Sequence, residues 1–218
     1  MQLLDRADLG WGDAPVLTGI SLTVAPGERL ALLGRSGSGK STLLSALRGA
    51  VEARGMRMAL VPQDAALVPQ LSALRNVLMG RLDDHGAWRN LATLIRPARR
   101  DRAEAGAVLD RVGLQGLADT RVETLSGGQK QRVALARALY RGGEIILGDE
   151  PLSAVDPLQA QALARLVQGA FPTAILAMHD VAVARAFASR VIGLKEGRVL
   201  FDLPVAGLDA ARIDRLYG

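Results

Sequence analysis

A glycine-rich segment in the first quarter of the chain has the residue types and spacing of a phosphate-binding loop. It reads Gly34-Arg35-Ser36-Gly37-Ser38-Gly39-Lys40-Ser41, fits the pattern G-x-x-x-x-G-K-[ST], and lies between a predicted strand over 29–33 and a predicted helix over about 40–48. Glycines let successive backbone N–H groups turn toward phosphates, and a helix N-terminus adds a positive dipole end. Lys40 can reach the β- and γ-phosphates, and the Ser41 hydroxyl, followed by Thr42, can ligate Mg²⁺. The segment predicts a site for a nucleoside triphosphate.

Two adjacent acids lie directly after another predicted strand, over 145–147. Asp149 is predicted to hold the metal ion through water, and Glu150 to act as the general base that polarises an attacking water. Adjacent acids alone are more often a solvated surface. Behind three apolar residues, and in a chain with a phosphate-binding loop, hydrolytic chemistry is the favoured interpretation.

A third motif reads Leu125-Ser126-Gly127-Gly128-Gln129. Ser126 can cap the following helix, and the two glycines allow the backbone to approach an anion closely, so that a helix N-terminus points at phosphate. A capped Gly-Gly loop without function is the structural alternative. The string resembles the signature sequence of ATP-binding cassette (ABC) proteins, and the resemblance covers essentially the whole chain.

Four more positions match that family's motifs in the right order. Trp11 lies where an aromatic residue stacks on adenine, Gln63 matches the glutamine that senses Mg²⁺ and the transmembrane partner, and 153–156 looks like the D-loop. His179 matches the switch histidine that contacts the γ-phosphate. Each has a plainer alternative: Trp11 as a core or edge aromatic, Gln63 as a solvated loop residue, Asp156 as a helix cap, and His179 as a hydrogen-bonded core histidine.

The resemblance implies ATP and Mg²⁺ as cofactors and assigns the site residues. The predicted catalytic residues are Glu150, His179 and Lys40, and the predicted metal site is Ser41, Gln63 and Asp149. The predicted nucleotide-binding residues are Trp11, Gly34, Arg35, Ser36, Gly37, Ser38, Gly39, Lys40, Ser41, Thr42, Gln63, Ser126, Gly127, Gly128, Gln129 and Asp156.

Short apolar runs separated by helical patterns predict an α/β fold. The resemblance makes it a P-loop NTPase core with an ABC-type antiparallel β-subdomain and an inserted helical signature subdomain, over about 71–140 of a single ABC domain spanning 1–218. Only 23 positions separate Lys40 from Gln63, whereas the family usually carries a longer segment with a β-hairpin there. The β-subdomain is therefore expected to be shortened, with the preceding helix ending near Gly49. Gly148 is a second departure, where a slightly larger residue is usual.

Composition excludes several classes of protein. The chain has no cysteine, is 49% hydrophobic and 22% charged, and has no apolar run long enough to span a membrane. Disorder, disulfide scaffolds and an N-terminal signal peptide are not expected. A net charge of +5 leaves a polyanionic partner open, although aromatic residues make up only 3% of the chain, which disfavours a base-stacking surface.

The resemblance also implies partners. It predicts a head-to-tail homodimer of ATPase subunits with two ATPs between them, permease subunits of the membrane docked near Gln63, an indirect link to a periplasmic or surface solute-binding protein, and no nucleic acid. The expected location is peripheral, on the cytoplasmic face of the cell (inner) membrane.

Two segments resemble the ATPases of phosphonate importers: 74–82 with Trp88-Arg89 shortly after, and the terminal 212–217. The leading hypothesis is the ATP-hydrolysing subunit of an importer for phosphonate or a related phosphorus oxyanion. Another small-solute ABC transporter is the alternative within the family. A soluble ABC protein acting on nucleic acid or ribosomes is disfavoured by the single compact cassette, and a non-hydrolytic regulator by the intact Glu150 and His179.

Overall fold

The computed structural model describes residues 1–11, 14–153 and 155–218, without the side chains of Trp11 and Leu94. The strands are β1 Gln2–Trp11, β2 Ala14–Thr23, β3 Arg29–Leu33, β4 Met58–Val61, β5 Ile145–Asp149, β6 Thr173–Ala177, β7 Arg190–Lys195 and β8 Arg198–Pro204. The helices are α1 Lys40–Glu52, α2 Ala73–Leu78, α3 Ala87–Ile95, α4 Arg99–Arg111, α5 Gly127–Arg141, α6 Pro157–Ala170, α7 Val181–Phe187 and α8 Ala210–Tyr217. Short 3₁₀ turns lie at Met79–Asp84, Val122–Thr124 and Val205–Gly207.

Six strands form the central sheet in the order β4-β5-β6-β3-β7-β8. Neighbouring strands are parallel except for β8, which pairs antiparallel with β7. Strands β5 and β6 are buried along their whole length, as expected for parallel strands covered on both faces. Because β3, β5 and β6 are adjacent and parallel, the loops that follow them meet at one edge of the sheet, where α/β proteins place ligands.

Two hydrophobic clusters lie on opposite faces of the sheet. One joins α1 to the β1–β2 hairpin and includes Leu17, Leu22, Leu43 and Leu47. The other joins the sheet to α2, α4, α5, α6 and α7. The helical region predicted over about 71–140 contains α2 to α5, and α5 runs one residue further, to Arg141.

The segment between Lys40 and Gln63 is shortened as expected, but its details differ from the prediction. The prediction that the helix ends near Gly49 is wrong, because α1 continues to Glu52 and buries Val51 in its last turn. Residues 53–57 then lead directly into β4 and form no strand. The antiparallel sheet of β1 and β2 therefore receives no further strand from this segment and has two strands. Arg54 donates hydrogen bonds to the carbonyls of Ala50 (2.6 Å) and Gln2 (2.5 Å), which ties the end of α1 to β1.

Within the three described ranges, no helix combines the length and the apolar content that crossing a bilayer requires.

Candidate functional site

The glycine-rich loop between β3 and α1 has a conformation that its glycines make possible. Gly34 has φ 152°, Gly37 φ 78° and Gly39 φ 101°, all in the region that other residues avoid. A Cβ on Gly34 would lie 2.4 Å from the carbonyl oxygen of Leu194. The backbone of this loop can therefore curl inward in a way that a larger residue would block.

Lys40, the first residue of α1, is 6% exposed and folds back over the loop. Its Nζ donates hydrogen bonds to the carbonyls of Gly34 (2.8 Å) and Arg35 (3.0 Å). Burial lowers the pKa of Lys40 below its usual range, and the nearby carboxylates of Glu150 and Asp149 act in the opposite direction. A buried ammonium beside two acids and a loop of amide groups is suited to an anionic ligand that brings a metal ion.

The rest of the loop fits a bound phosphate. Ser38 is 7% exposed, and its Oγ is buried without a hydrogen-bond partner among the described residues. Buried polar groups are normally paired, so this hydroxyl suits a ligand oxygen. Arg35 and Ser36 are exposed at the tip, and Thr42 is half-buried in the first turn of α1.

Ser41, Gln63 and Asp149 line one cavity of about 350 Å³, between α1, the end of β4 and the end of β5. Hydroxyl, amide and carboxylate oxygens are the donors that Mg²⁺ prefers, and Mg²⁺ usually keeps several waters and binds substrate phosphates as well. No group of three or more His, Cys, Asp or Glu side chains is arranged to hold a metal ion among the described residues. The donors present thus fit a magnesium ion shared with a nucleotide.

Glu150 and His179 lie side by side at the ends of β5 and β6. The Nε2 of His179 is 2.5 Å from the Oε1 of Glu150, and both side chains line a cavity of about 150 Å³. Glu150 has φ 54°, an unusual conformation for a residue with a side chain, and its N–H donates to the carbonyl of Ala177 at 3.1 Å. This backbone conformation directs the Glu150 side chain toward the loop after β6, which carries His179.

The signature segment begins α5 with a capping box. Ser126 Oγ accepts a hydrogen bond from the Gln129 N–H (3.3 Å), and the Gln129 side chain accepts one from the Ser126 N–H (2.9 Å). Ser126 and Gly127 are exposed, while Gly128 is half-buried. Among the described residues, no hydrogen bond joins this segment to the glycine-rich loop of the same chain.

The remaining predicted positions are placed only in part. Asp156 caps α6, because its Oδ1 accepts a hydrogen bond from the Gln159 N–H at 3.0 Å. Ala154 in the same loop and the side chain of Trp11 lie outside the described residues. The predicted stacking of Trp11 on adenine therefore stays a prediction.

Gln131 on α5 is a contact residue that the sequence reasoning missed. Its amide nitrogen donates to the Glu150 carbonyl and, at 2.9 Å, to the Ser153 hydroxyl. This side chain links the signature helix to the loop that carries Glu150. Nothing in the local spacing signals the contact, because the partners are 19 and 22 residues away along the chain.

Arg137 on α5 was also missed. Its guanidinium donates to the carbonyls of Ala66 (2.6 Å) and Ala65 (2.8 Å), which follow Gln63 and have φ 43° and 60°. Burial lowers the pKa of Arg137, and the carboxylate of Asp64 opposes that shift. Arg137 thus fixes a strained segment of the Gln63 loop to the same helix that begins with the signature motif.

Together, the parallel sheet, the glycine-rich loop with its buried lysine and the acids at the end of β5 define a P-loop nucleoside-triphosphatase. Residues 17–153 match the family described as ABC transporter. The chain belongs to that family and is one of its ATP-binding ATPases, which confirms the resemblance and the predicted fold.

Curated relatives match over nearly the whole chain. The phosphonates import ATP-binding protein PhnC of Anaeromyxobacter dehalogenans (strain 2CP-C) is 40% identical over 238 aligned positions, covering 98% of this chain and 47% of that protein. PhnC 1 of Rhodopseudomonas palustris (strain BisB18) is 38% identical over 228 positions, covering 93% of this chain and 83% of that protein. The chain thus spans about half the length of the first relative and most of the second.

A solved structure agrees on the fold. It is the dimeric post-hydrolysis state of the ATP-binding cassette MJ0796 bound to ADP and Pi, with a TM-score of 0.77 and 28% identity, covering 95% of this chain and 99% of that one. A nucleotide-free ATP-binding cassette from an ABC transporter, with a TM-score of 0.73 and 21% identity, supports the fold alone.

Proposed function

We propose that this chain is the ATP-hydrolysing subunit of an ABC importer and that it energises uptake of phosphonate or a related phosphorus oxyanion. It forms a single ABC domain over 1–218 and works through permease subunits in the membrane. The observation that carries the proposal is the convergence of Lys40, Asp149, Glu150 and His179 at one edge of the sheet, at the ends of the adjacent strands β3, β5 and β6.

ATP is held by the loop over 34–39, Lys40, Ser41 and Thr42. Ser41, Asp149 and Gln63 are the residues that would hold Mg²⁺, which when bound there would supply positive charge against the phosphates. Lys40 is buried and keeps a compact positive charge at the loop, which is where negative charge on the transferred phosphoryl group needs compensation.

Glu150 is the general base. Glu150 directly follows β5, at the edge of the sheet that also carries the glycine-rich loop. The 2.5 Å contact between its carboxylate and His179 fixes the orientation in which the carboxylate accepts a proton. Gln131 holds the backbone of the same residue from α5. His179 orients the base through this contact and, in the proposed ATP-bound form, contacts the γ-phosphate.

The working form is a head-to-tail dimer. Ser126, Gly127 and Gly128 are the exposed or half-buried start of a capped helix, and no hydrogen bond among the described residues joins them to the phosphate-binding loop of their own chain. A second copy in reversed orientation supplies them to that loop, together with Gln129 and Asp156. Closure on ATP and reopening after hydrolysis drive the permease.

The permease docks near the Gln63 loop, and the chain is peripheral on the cytoplasmic face of the membrane. Arg137 supports this role, because it joins the backbone of that loop to the signature helix α5. A movement imposed on the loop is thereby transmitted to the residues that close over ATP. The solute-binding protein contacts the permease and not this chain.

The substrate class is supported by the names of the relatives, which are phosphonates import ATP-binding proteins at 35 to 41% identity. The residues of this chain do not contact the solute. The alternative is the ATPase of another small-solute transporter. A role on nucleic acid is disfavoured, since only 3% of residues are aromatic.

Reconstitution tests the proposal. The chain is co-purified with a permease and a solute-binding protein from the same organism and placed in liposomes, with ATP on the side that the ATPase subunit faces. Uptake of a labelled phosphonate, phosphate and sulfate is then measured. ATP-dependent uptake of the phosphonate above the other two anions is expected. Uptake of an unrelated solute alone would contradict the assignment of phosphonate as the substrate. Failure to assemble with any permease would contradict the assignment of the chain as an importer subunit.

A further inference from the structure

Helix α3 carries an apolar stripe that no part of the described chain covers. Trp88 is 86% exposed, Leu91 50% and Ile95 65%, and their spacing of three and four residues places them on one face of the helix. Of the six large apolar side chains exposed among the described residues, three lie on this nine-residue helix. Isolated exposed apolar residues are ordinary, whereas a contiguous patch marks a binding surface.

The helix is held so that this stripe faces outward. Asn90, on a different face, donates hydrogen bonds to the carbonyls of Leu82 (2.8 Å) and His85 (3.0 Å) in the preceding turn. Arg75 of α2 donates to the carbonyl of Ile95 at 3.5 Å. These contacts anchor both ends of α3 through polar atoms and leave the apolar side chains free to meet a partner.

The stripe is surrounded by positive charge. Residues 86–102 contain five arginines and one aspartate, a net charge of +4 in a chain whose net charge is +5. Four of the arginines, Arg89, Arg96, Arg99 and Arg100, are exposed and form no ion pair with any described residue. Four arginines that form no ion pair among the described residues thus lie close to Trp88 along the chain.

We propose that α3 and the start of α4 form a membrane-contact surface that binds anionic lipid headgroups directly. A helix with a tryptophan-containing apolar face bordered by arginines is the pattern that lies in the plane of a bilayer interface. Each arginine near an anionic leaflet adds attraction, and the apolar side chains enter the headgroup region. A protein groove would need carboxylates matched to four separate arginines, whereas anionic lipids supply that charge without a fixed geometry.

Continuity with the Gln63 loop supports the orientation. A groove of about 530 Å³ is lined by Gln70 and Ser72, which follow that loop, and also by Ile95 and Arg96 at the end of α3. The membrane-contact surface is therefore adjacent to the region proposed for the permease. Binding to lipid goes beyond the proposed importer function and can be measured without a permease.

The test uses the purified chain and lipid vesicles. Cosedimentation is measured with vesicles of phosphatidylcholine alone and of phosphatidylcholine mixed with phosphatidylglycerol. Binding to the mixed vesicles that weakens with added salt is expected. The combined Arg96→Gln, Arg99→Gln and Arg100→Gln variant should bind about 100-fold more weakly, and Trp88→Ser about tenfold more weakly.

Matched controls separate this surface from general charge. Changing Arg111, Arg165 and Arg198 to Gln alters the net charge equally at exposed positions elsewhere, and Leu158→Ser removes a side chain that is 78% exposed on α6. Both controls should bind the mixed vesicles as the parent does. In a Trp11→Phe background, the fluorescence of Trp88, the one tryptophan then left in the sequence, should shift to shorter wavelength on binding.

Three results overturn the proposal: no binding of the parent to anionic vesicles, binding by the triple arginine variant and by Trp88→Ser that equals that of the parent, or equal weakening by the matched controls. A fourth contrary result is that these two variants bind vesicles normally but fail to assemble with the permease, because the surface would then be a protein contact. None of these results bears on whether the chain hydrolyses ATP, which is measured separately on every variant.

Discussion

The Nε2 of His179 lies 2.5 Å from the Oε1 of Glu150, although the two residues are on different strands' loops and 29 positions apart. β5 pairs with β6 in parallel, and Asp149 lies opposite Ala177 at the ends of the two strands. The loops that follow these strands therefore begin side by side at the same edge of the sheet. The contact gives the proposed general base a fixed orientation. It also makes His179 a residue whose loss can be distinguished from loss of nucleotide binding.

His179→Ala should lower kcat for ATP hydrolysis by about 100-fold or more, because an unoriented base loses much of the contribution of positioned proton transfer. Nucleotide affinity should change much less, since the loop and Lys40 remain. The chain offers a matched control in His85, the other of its two histidines, which lies in the turn before α3. His85→Ala should hydrolyse ATP at the parent rate; a similar loss in both variants would contradict the role given to His179.

Replacing Arg137 tests the link between α5 and the Gln63 loop. Arg137→Met leaves two carbonyls without their guanidinium donor and should lower the free energy of unfolding by about 1 to 3 kcal/mol. Residues 62–70 should exchange amide hydrogens faster than in the parent. Arg165→Met, at an exposed position of α6, serves as the control and should change neither quantity by more than a few tenths of a kcal/mol.

The shortened connection after α1 predicts a specific role for Arg54. Arg54→Ala removes the hydrogen bonds to Gln2 and Ala50 and should cost about 0.5 to 1.5 kcal/mol of stability. The effect should be largest for amide exchange in β1, because the side chain joins that strand to the helix. Unchanged protection of β1 would show that burial of Leu3 in the hydrophobic cluster shared with α1 is sufficient.

The pair Arg57–Asp84 predicts a pH dependence of stability. Arg57 donates to both carboxylate oxygens of Asp84, at 2.8 and 2.6 Å, and this hydrogen bonding holds the pKa of Asp84 below its usual range. A lowered pKa in the folded state stabilises the protein above the unfolded-state pKa, and that stabilisation is lost as the pH falls from about 4 through the folded-state value.

Asp84→Asn should therefore be less stable than the parent by about 0.5 to 1 kcal/mol at pH 7, with the difference shrinking below about pH 4. Urea unfolding at several pH values measures this. A difference that is the same at pH 7 and pH 3 would mean that the ion pair is not its cause.

The motifs were readable from sequence because each is local. The glycine-rich loop, the start of the signature helix and the acids after β5 are each formed by residues that lie within eight positions along the chain. The backbone requirements of each motif follow from its residue types. The position of the Gln63 loop could not be predicted in the same way. It depends on Arg137, 71 and 72 residues from its two acceptors, and on alanines in a conformation that their type does not signal.

The extent of α1 shows the same limit. The helix was expected to end near Gly49, but Val51 is fully buried, and its packing accompanies the continuation of the helix to Glu52. Tertiary burial outweighs the weak local preference of a glycine. At Gly148, where the family usually has a slightly larger residue, the packing agrees with the glycine in this sequence. An added Cβ would lie 2.8 Å from both Leu176 Cδ2 and Pro151 Cγ, so a larger residue would have little room.

The central claim is that Glu150 drives hydrolysis at a site completed by a second copy of the chain. Light scattering after gel filtration, with and without Mg²⁺ and ATP, tests it on Glu150→Gln alongside ATPase assays. The variant should hydrolyse ATP at least about 100-fold more slowly than the parent and elute as a dimer only with ATP. Hydrolysis at the parent rate by a variant that stays monomeric with ATP would contradict the account.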